Sequence, residues 1–223
     1  MIKAVIFDFD GTLSNRQENA YLTYDHMLRP YFEDLSDIEY EAVLQDMMLY
    51  DGNGNLRTEY RLDTFMRKYK DRISEEDRDR LAAYYGKHMY EYTRLKDETI
   101  EVLEALYGNY KLGLLSNGDP FSQRSKIDHV GVSKYFDEVI VSGDLTCKKP
   151  QKEIFDLMAE RLGVNNEECM MVGDVFSTDI LGAIRAGMVP CWIVMNPETT
   201  SKFYDGHRIS NLREIITILN TQS

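Results

Sequence analysis

The feature that most restricts this chain stands at its start: Ala4-Val5-Ile6-Phe7-Asp8-Phe9-Asp10-Gly11-Thr12-Leu13. Residues 3–7 form a short apolar run with β-branched Val5 and Ile6, the pattern of a strand covered on both faces. Two carboxylates separated by one aromatic side chain follow, and then Gly11 and Thr12. Neither acid can be buried without a partner, so the strand must deliver both to its C-terminal edge. Acids this close repel, which calls for a bound cation or a shared proton. Asp and Gly are also ordinary turn residues, so the remainder of the chain has to decide between a turn and a site.

Two patterns follow. From residue 14 to about 95 helical periodicity dominates, and Val and Ile are scarce. Leu22, Met27 and Leu28 fit one helix that Pro30 should end. Ser36-Asp37-Ile38-Glu39 carries a capping box ahead of a second helix, and Asp51-Gly52-Asn53-Gly54-Asn55 is a strong turn signal. A third helix carries Leu62, Phe65, Met66 and Tyr69, and Ser74-Glu75-Glu76-Asp77 opens a fourth. Eleven of the fifteen tyrosines fall in this all-helical module. They suit packing along amphipathic helices better than stacking on a ligand ring.

From about residue 97, strand and helix alternate. Helices are predicted over Glu98–Leu106, Phe121–Val130, 151–162, Ser177–Ala186 and Leu212–Leu219. Strands are predicted over Lys111–Leu115, Glu138–Val141, Cys169–Val172 and Cys191–Val194. With the opening run this makes five strands, and such alternation predicts a parallel sheet with helices on both faces. Ligands of such sheets bind beyond the carboxyl ends of the strands. Three of the predicted strands end there in polar residues: Asp8 and Asp10, Ser116 and Asn117, and Asp174.

Composition narrows the partners. There are 26 basic and 38 acidic residues, for a formal charge of -12. That balance argues against a nucleic-acid backbone or an anionic membrane as partner. Three widely spaced cysteines with no CxxC pair suggest neither a zinc site nor a disulfide framework. With no apolar run approaching a membrane span, they read as reduced thiols in a cytoplasm.

Four pieces should converge at one sheet edge: Asp8 to Thr12, Ser116-Asn117-Gly118, Lys149-Pro150, and Gly173-Asp174 with Asp179 five residues on. The carboxylates suit a hard cation such as Mg²⁺. Lys149, a hydroxyl and amide or backbone N–H groups supply donors for phosphate oxygens. One carboxylate can attack phosphorus, and a second, two residues away, can protonate the leaving oxygen and then activate water. Cation and lysine would spread the charge of the transferring group. The set points to phosphoryl transfer through an aspartyl-phosphate.

These residues, in this order, resemble the haloacid dehalogenase superfamily of hydrolases, in its branch with an α-helical cap inserted after the first strand. The motif hhhhDxDGT is met by Val5 to Thr12, the strand ending in Ser by Ser116, the Lys-Pro pair by Lys149-Pro150, and GDxxxxD by Gly173, Asp174 and Asp179. The resemblance implies a Rossmann-like, doubly wound α/β core of residues 1–14 and 96–223 and a helical cap of residues 15–95, with hinges near Ser14-Asn15 and Leu95-Lys96. It implies that Asp8 is the nucleophile and Asp10 the general acid/base. Mg²⁺ would be held by an Asp8 oxygen, the Asp10 main-chain carbonyl and Asp174, with Asp179 behind them orienting waters or Lys149. Ser116, Asn117 and Lys149 would hold the phosphoryl group. Members that cleave carbon–halogen or phosphonate bonds lack the second Asp, so Asp10 leaves a phosphatase or a sugar-phosphate mutase. Gly173 to Gly182 and Lys149 to Phe155 are similar to the pyrimidine 5′-nucleotidase type of member. The expected activity is therefore Mg²⁺-dependent hydrolysis of a small phosphomonoester, such as a nucleoside 5′-monophosphate. A β-phosphoglucomutase-like mutase or a non-catalytic phosphate- or partner-binding domain are the alternatives.

Overall fold

A computed structural model of the chain describes residues 1–54, 56, 58–194 and 202–221. It divides into two compact units, Met1–Asn15 with Leu95–Ser223, and Arg16–Arg94. Strand β1 (Ala4–Phe7) opens the first unit with all four residues buried.

The second unit is helical, with α1 (Arg16–Leu28), α2 (Asp37–Asp51), α3 (Thr58–Lys68) and α4 (Asp77–His88). Pro30 stands in a single 3₁₀ turn that ends α1, where its missing N–H and fixed φ do no harm. The Ser36/Glu39 capping box is formed, and α2 stops at Gly52, which takes the left-handed φ of +55° that a side chain would resist. Of the turn signal beyond it, Asn55 lies outside the described residues. Helix α4 begins at Asp77, later than the spacing predicts, because the Ser74 N–H and hydroxyl donate to the Asp77 carboxylate (3.2 and 2.8 Å) and close a turn before the helix. The core of the unit is Tyr24, Phe32, Tyr40, Leu44, Met47, Leu62 and Phe65 with smaller neighbours. Each such side chain contributes about 1.5–3 kcal/mol by burial. Tyr24 and Tyr40 are thus packing residues, Tyr24 stacked on Tyr85 at a centroid distance of 5.1 Å.

The first unit resumes with α5 (Thr99–Leu106), β2 (Lys111–Ser116), α6 (Pro120–His129), β3 (Glu138–Val141), α7 (Lys152–Leu162) and β4 (Cys169–Gly173). It closes with α8 (Leu181–Ala186), β5 (Val189–Ile193), β6 (His207–Ile209) and α9 (Glu214–Thr221). The strands form one six-stranded sheet in the order β3-β2-β1-β4-β5-β6, and every pairing is parallel. Side chains alternate between its two faces. Val5, Phe7, Leu114 and Val172 pack with Val102, Ile127, Ile215 and Leu219 of α5, α6 and α9. Ala4, Ile6, Leu115 and Met171 pack with Ile154, Phe155, Met158 and Ala183 of α7 and α8. Burial on both faces is why the strands read as continuous apolar runs.

Three expectations are corrected. The sheet has six strands rather than five: β6 pairs with β5 from Cys191↔His207 to Ile193↔Ile209, and a three-residue edge strand with His and Arg in it carries no apolar signature. Strand β5 is Val189–Ile193 rather than Cys191–Val194, since Pro190 reads as a strand breaker yet is tolerated close to a sheet edge. The helix predicted from Ser177 is a single wide π turn, Phe176–Ile180, followed by the short α8. Among the described residues no helix is long and apolar enough to cross a membrane. Cys169 and Cys191 lie buried in β4 and β5, and all three cysteines are free thiols.

Candidate active site

The strand order reverses direction at β1, which has β2 on one side and β4 on the other. A crevice beyond the carboxyl ends of the strands forms at such a point. Phe7 pairs with Val172, and the Asp8 N–H donates to the Val172 carbonyl at 2.9 Å. The registers therefore set Asp8 beside Gly173-Asp174 on one side, and beside the end of β2 at Ser116 on the other. Two glycines make the approach possible. Gly11 has φ +89°, and a Cβ there would stand 2.4 Å from Asp174 Oδ2. A Cβ on Gly173 would stand 2.4 Å from the Asp179 Cβ. The wide turn Phe176–Ile180 returns Asp179 over Gly173, where the Val175 N–H donates to it at 3.0 Å. Single π turns of this kind are frequent at functional sites.

Lys149 lies at the centre of the cluster with its side chain 2% exposed. Its Nζ is 2.6 Å from Asp8 Oδ1 and 2.8 Å from Asp179 Oδ1. Oxygens of Asp8, Asp174 and Asp179 all lie within 4.8 Å of one another. One ammonium therefore faces three acids. Burial pushes the Asp8 carboxyl well above the ordinary carboxylate range; Lys149 opposes this, and Asp179 and Asp174 add to it. Burial and then Asp179 push Asp174 up to about 6, against Lys149 and a hydrogen bond from the Thr12 hydroxyl. For Lys149, burial favours the neutral amine, but Asp179 and Asp8 outweigh it and raise its pKa. The lysine keeps its proton, and the excess negative charge falls on the acids. Burial also lowers the nearby Lys96 ammonium, although Asp174, Glu98 and Asp8 oppose the shift. An oxygen-rich group with excess negative charge, and a glycine in place of a side chain against Asp174, fits a small divalent cation.

The structure brings Asp8, Lys149, Asp174 and Asp179 together directly. Ser116 is buried at the end of β2. The side-chain amide of Asn117 is engaged with the main chain of residue 149, accepting from the Lys149 N–H at 3.0 Å and donating to the Lys149 carbonyl at 3.0 Å. Asn117 thereby positions the lysine. This engages the amide oxygen and one of its two amide hydrogens. Asp10 turns its carboxylate toward α6: Lys126 Nζ is 2.7 Å and Gln123 Nε2 2.9 Å from its Oδ2.

Sequence reasoning passes over Gln123 and Lys126, and gives Thr12 and Trp192 no task of their own. The Thr12 hydroxyl donates to Asp174 Oδ1 (3.2 Å) and the Trp192 indole N–H to the Asp174 carbonyl (2.9 Å). The buried residues of α6 are Gln123, Lys126 and Ile127, a mostly polar inward face that only the packing of the helix reveals.

The family model of the haloacid dehalogenase-like hydrolases matches residues 2–187. A glyceraldehyde 3-phosphate phosphatase of Methanopyrus kandleri is 33% identical over 199 residues, which is 85% of this chain and 82% of that protein. The pyrimidine 5′-nucleotidase YjjG of Escherichia coli is 37% identical over 95 residues, 42% of each chain. Among solved structures, that of the HAD-hydrolase YfnB of Bacillus subtilis bound to magnesium superposes with a TM-score of 0.78 at 24% identity, covering 98% of this chain and 99% of that one.

Proposed function

The chain belongs to the haloacid dehalogenase-like hydrolases and is a phosphatase of that family, and on that footing we propose that it hydrolyses small phosphomonoesters through an aspartyl-phosphate on Asp8. The observation that carries the reading is the group Asp8–Lys149–Asp179 with Asp174 beside it, closed over by Gly11 and Gly173.

Each residue has a task there. Asp8 attacks phosphorus as the bond to the leaving oxygen breaks, and Asp10 gives that oxygen its proton, releasing the alcohol. Water then attacks the acyl phosphate and yields a proton to Asp10, so that inorganic phosphate and the free Asp8 carboxylate are restored. Lys149, fixed by Asp179 and through its backbone by Asn117, holds a phosphoryl oxygen, as does the Ser116 hydroxyl. The residues fitted to hold Mg²⁺ are Asp8, Asp174 and the Asp10 main-chain carbonyl, with Asp179 behind them. A bound Mg²⁺ would offset acid charge and polarise the phosphoryl oxygens. We read the helical unit as the family's cap, residues 15–95, and the free thiols as fitting a cytoplasmic protein.

Triose phosphates, after the Methanopyrus relative, and nucleoside 5′-monophosphates, after YjjG, are the substrate classes to try first. The test is phosphate release from a broad phosphomonoester panel with Mg²⁺ or EDTA, comparing wild type with Asp8→Asn. Mg²⁺-dependent release that is lost in the variant is the expected result. Isomerisation of a hexose 1-phosphate without release would replace hydrolysis by mutase chemistry. Undiminished release by Asp8→Asn would overturn the reading.

A further inference from the structure

Helix α6 carries two buried polar side chains that the chemistry above does not use. Lys126 is 3% exposed and Gln123 5%. They are three residues apart and share one face of the helix. Both donate to the same atom, Asp10 Oδ2, at 2.7 and 2.9 Å, and Gln123 Nε2 is also 3.4 Å from the Asn117 carbonyl.

The arrangement is built. Pro120 occupies the first turn of α6, and Asp119 caps it by accepting from the Ser122 N–H at 2.9 Å, which sets the helix start. Gly118, at φ +144°, has no side chain where a Cβ would stand 2.8 Å from Gln123 Nε2. A buried ammonium is costly without an anion, and Asp10 supplies one. The apolar alternative at position 126 would pack under the sheet without that cost, so the lysine calls for an explanation.

We propose that Lys126 and Gln123 are positioning residues for Asp10, an inference that rests on the reading of Asp10 as general acid/base. Two donors on Oδ2 hold the carboxyl in one rotamer. That fixed position is the one from which Asp10, in the chemistry proposed above, gives the leaving oxygen its proton and then takes one from the attacking water. Loss of either donor lets the carboxyl rotate away from it.

General-acid assistance matters more as the leaving group becomes more basic, and this separates positioning from mere structure. The probe is a series of substituted phenyl phosphates of similar size, from 4-nitrophenyl to 4-methoxyphenyl, with kcat/KM measured in Mg²⁺. Lys126→Met should lose about ten-fold or less on the 4-nitrophenyl ester and about 100-fold or more on the 4-methoxyphenyl ester. Gln123→Ala, which removes no charge and guards against a folding failure, should show the same split at about three- to ten-fold. Lys126→Arg should restore most of the loss on the basic leaving groups. Equal loss across the series, or none, would overturn the proposal. Failure of the underlying reading looks different: wild type is then inert on every ester, or Asp8→Asn is as active as wild type, and the positioning role falls with it.

Discussion

Each unit of the molecule buries a charged cluster, and the two are balanced in opposite senses. In the helical unit Asp51, 1% exposed, is met by two guanidiniums, Arg16 at 2.7 Å and Arg61, and by the Tyr24 hydroxyl at 2.5 Å. Arg61 and Tyr24 share Oδ1, and the Gly54 N–H joins Arg16 on Oδ2, donating at 3.0 Å. Burial pushes the Asp51 carboxyl up, but Arg16, Tyr24 and Arg61 outweigh it and hold it below the usual range. In the α/β unit Lys149, with Lys96 nearby, faces three acids, and Asp8 and Asp174 are pushed up. In the helical cluster it is the carboxylate that is fully compensated, with Arg61 and Tyr24 on Oδ1 and Arg16 and Gly54 on Oδ2, and the surplus charge is positive. In the α/β cluster the surplus is negative and falls on the acids, which suits a ligand that brings positive charge. Strain of this kind gathers where chemistry is done.

The largest effects should come from neutralising one acid in each cluster, and they should fall on different observables. Asp8→Asn is expected to lower phosphate release by about 10³-fold or more while the fold persists, since it removes a nucleophile but relieves repulsion. Asp51→Asn leaves two buried guanidiniums without an anion and should cost about 3–5 kcal/mol of stability in denaturant unfolding. If Asp51→Asn is as stable as wild type, the Arg16–Asp51–Arg61 cluster is not what holds the helical unit together.

A cation should sharpen the contrast next. Anything that binds the folded state alone stabilises it by mass action, by about 2.7 kcal/mol at a hundred times its dissociation constant. Mg²⁺ is therefore expected to raise the melting temperature of wild type and of Asp51→Asn, and to leave that of Asp174→Asn nearly unmoved. An equal rise in all three would place the ion elsewhere. Gly11→Ala is a milder version of the same test. Its Cβ would press on the Asp174 carboxylate from a backbone at φ +89°, so Mg²⁺ affinity should fall about 10- to 100-fold, with a stability loss of about 1–3 kcal/mol. Calorimetric titration with Mg²⁺ reads the first and thermal melting the second. Unchanged affinity would mean that the space beside Asp174 is not used.

How far each cluster can be read from sequence differs too, for a physical reason. Asp8, Asp10 and Asp174 stand just beyond strand ends, and Asp179 in the turn that follows, all marked by short local patterns. The sheet topology then brings Asp8 and Asp174 together, and the turn after β4 adds Asp179, whereas the Asp10 carboxylate is turned toward α6. The Arg16–Asp51–Arg61 group has no such frame. Its members come from α1, α2 and α3, and nothing local distinguishes Arg61 from a solvated surface arginine. Lys126 is hidden in the same way: a lysine on a helix reads as surface until the packing of α6 turns it inward. Strand β6 and the π turn at Phe176–Ile180 escape because both depend on distant partners, β5 in one case and the close approach of Asp179 to Gly173 in the other.

The smallest expected effect is the dependence of stability on pH, and its sign separates the clusters. Asp174 titrates at about 6 in the folded protein and near an ordinary carboxylate value of about 3.9 when unfolded. Between those values the folded state binds more protons than the unfolded one, so unfolding free energy falls as pH rises. In EDTA the contribution is present in full below the unfolded value and is lost as pH rises through about 6; Asp8 acts in the same direction. Asp51 has the opposite sign: its carboxyl is held low when folded. Its contribution is present above the unfolded value and is lost only as pH falls through the folded one. Melting curves of metal-free wild type and Asp174→Asn from pH 4 to pH 7 isolate the first effect in their difference. The variant should gain on wild type as pH rises, by no more than a few degrees for a chain of this size. A difference that stays flat over the range would mean that the acids of the α/β unit are already balanced, as Asp51 is, and the contrast between the two clusters would disappear.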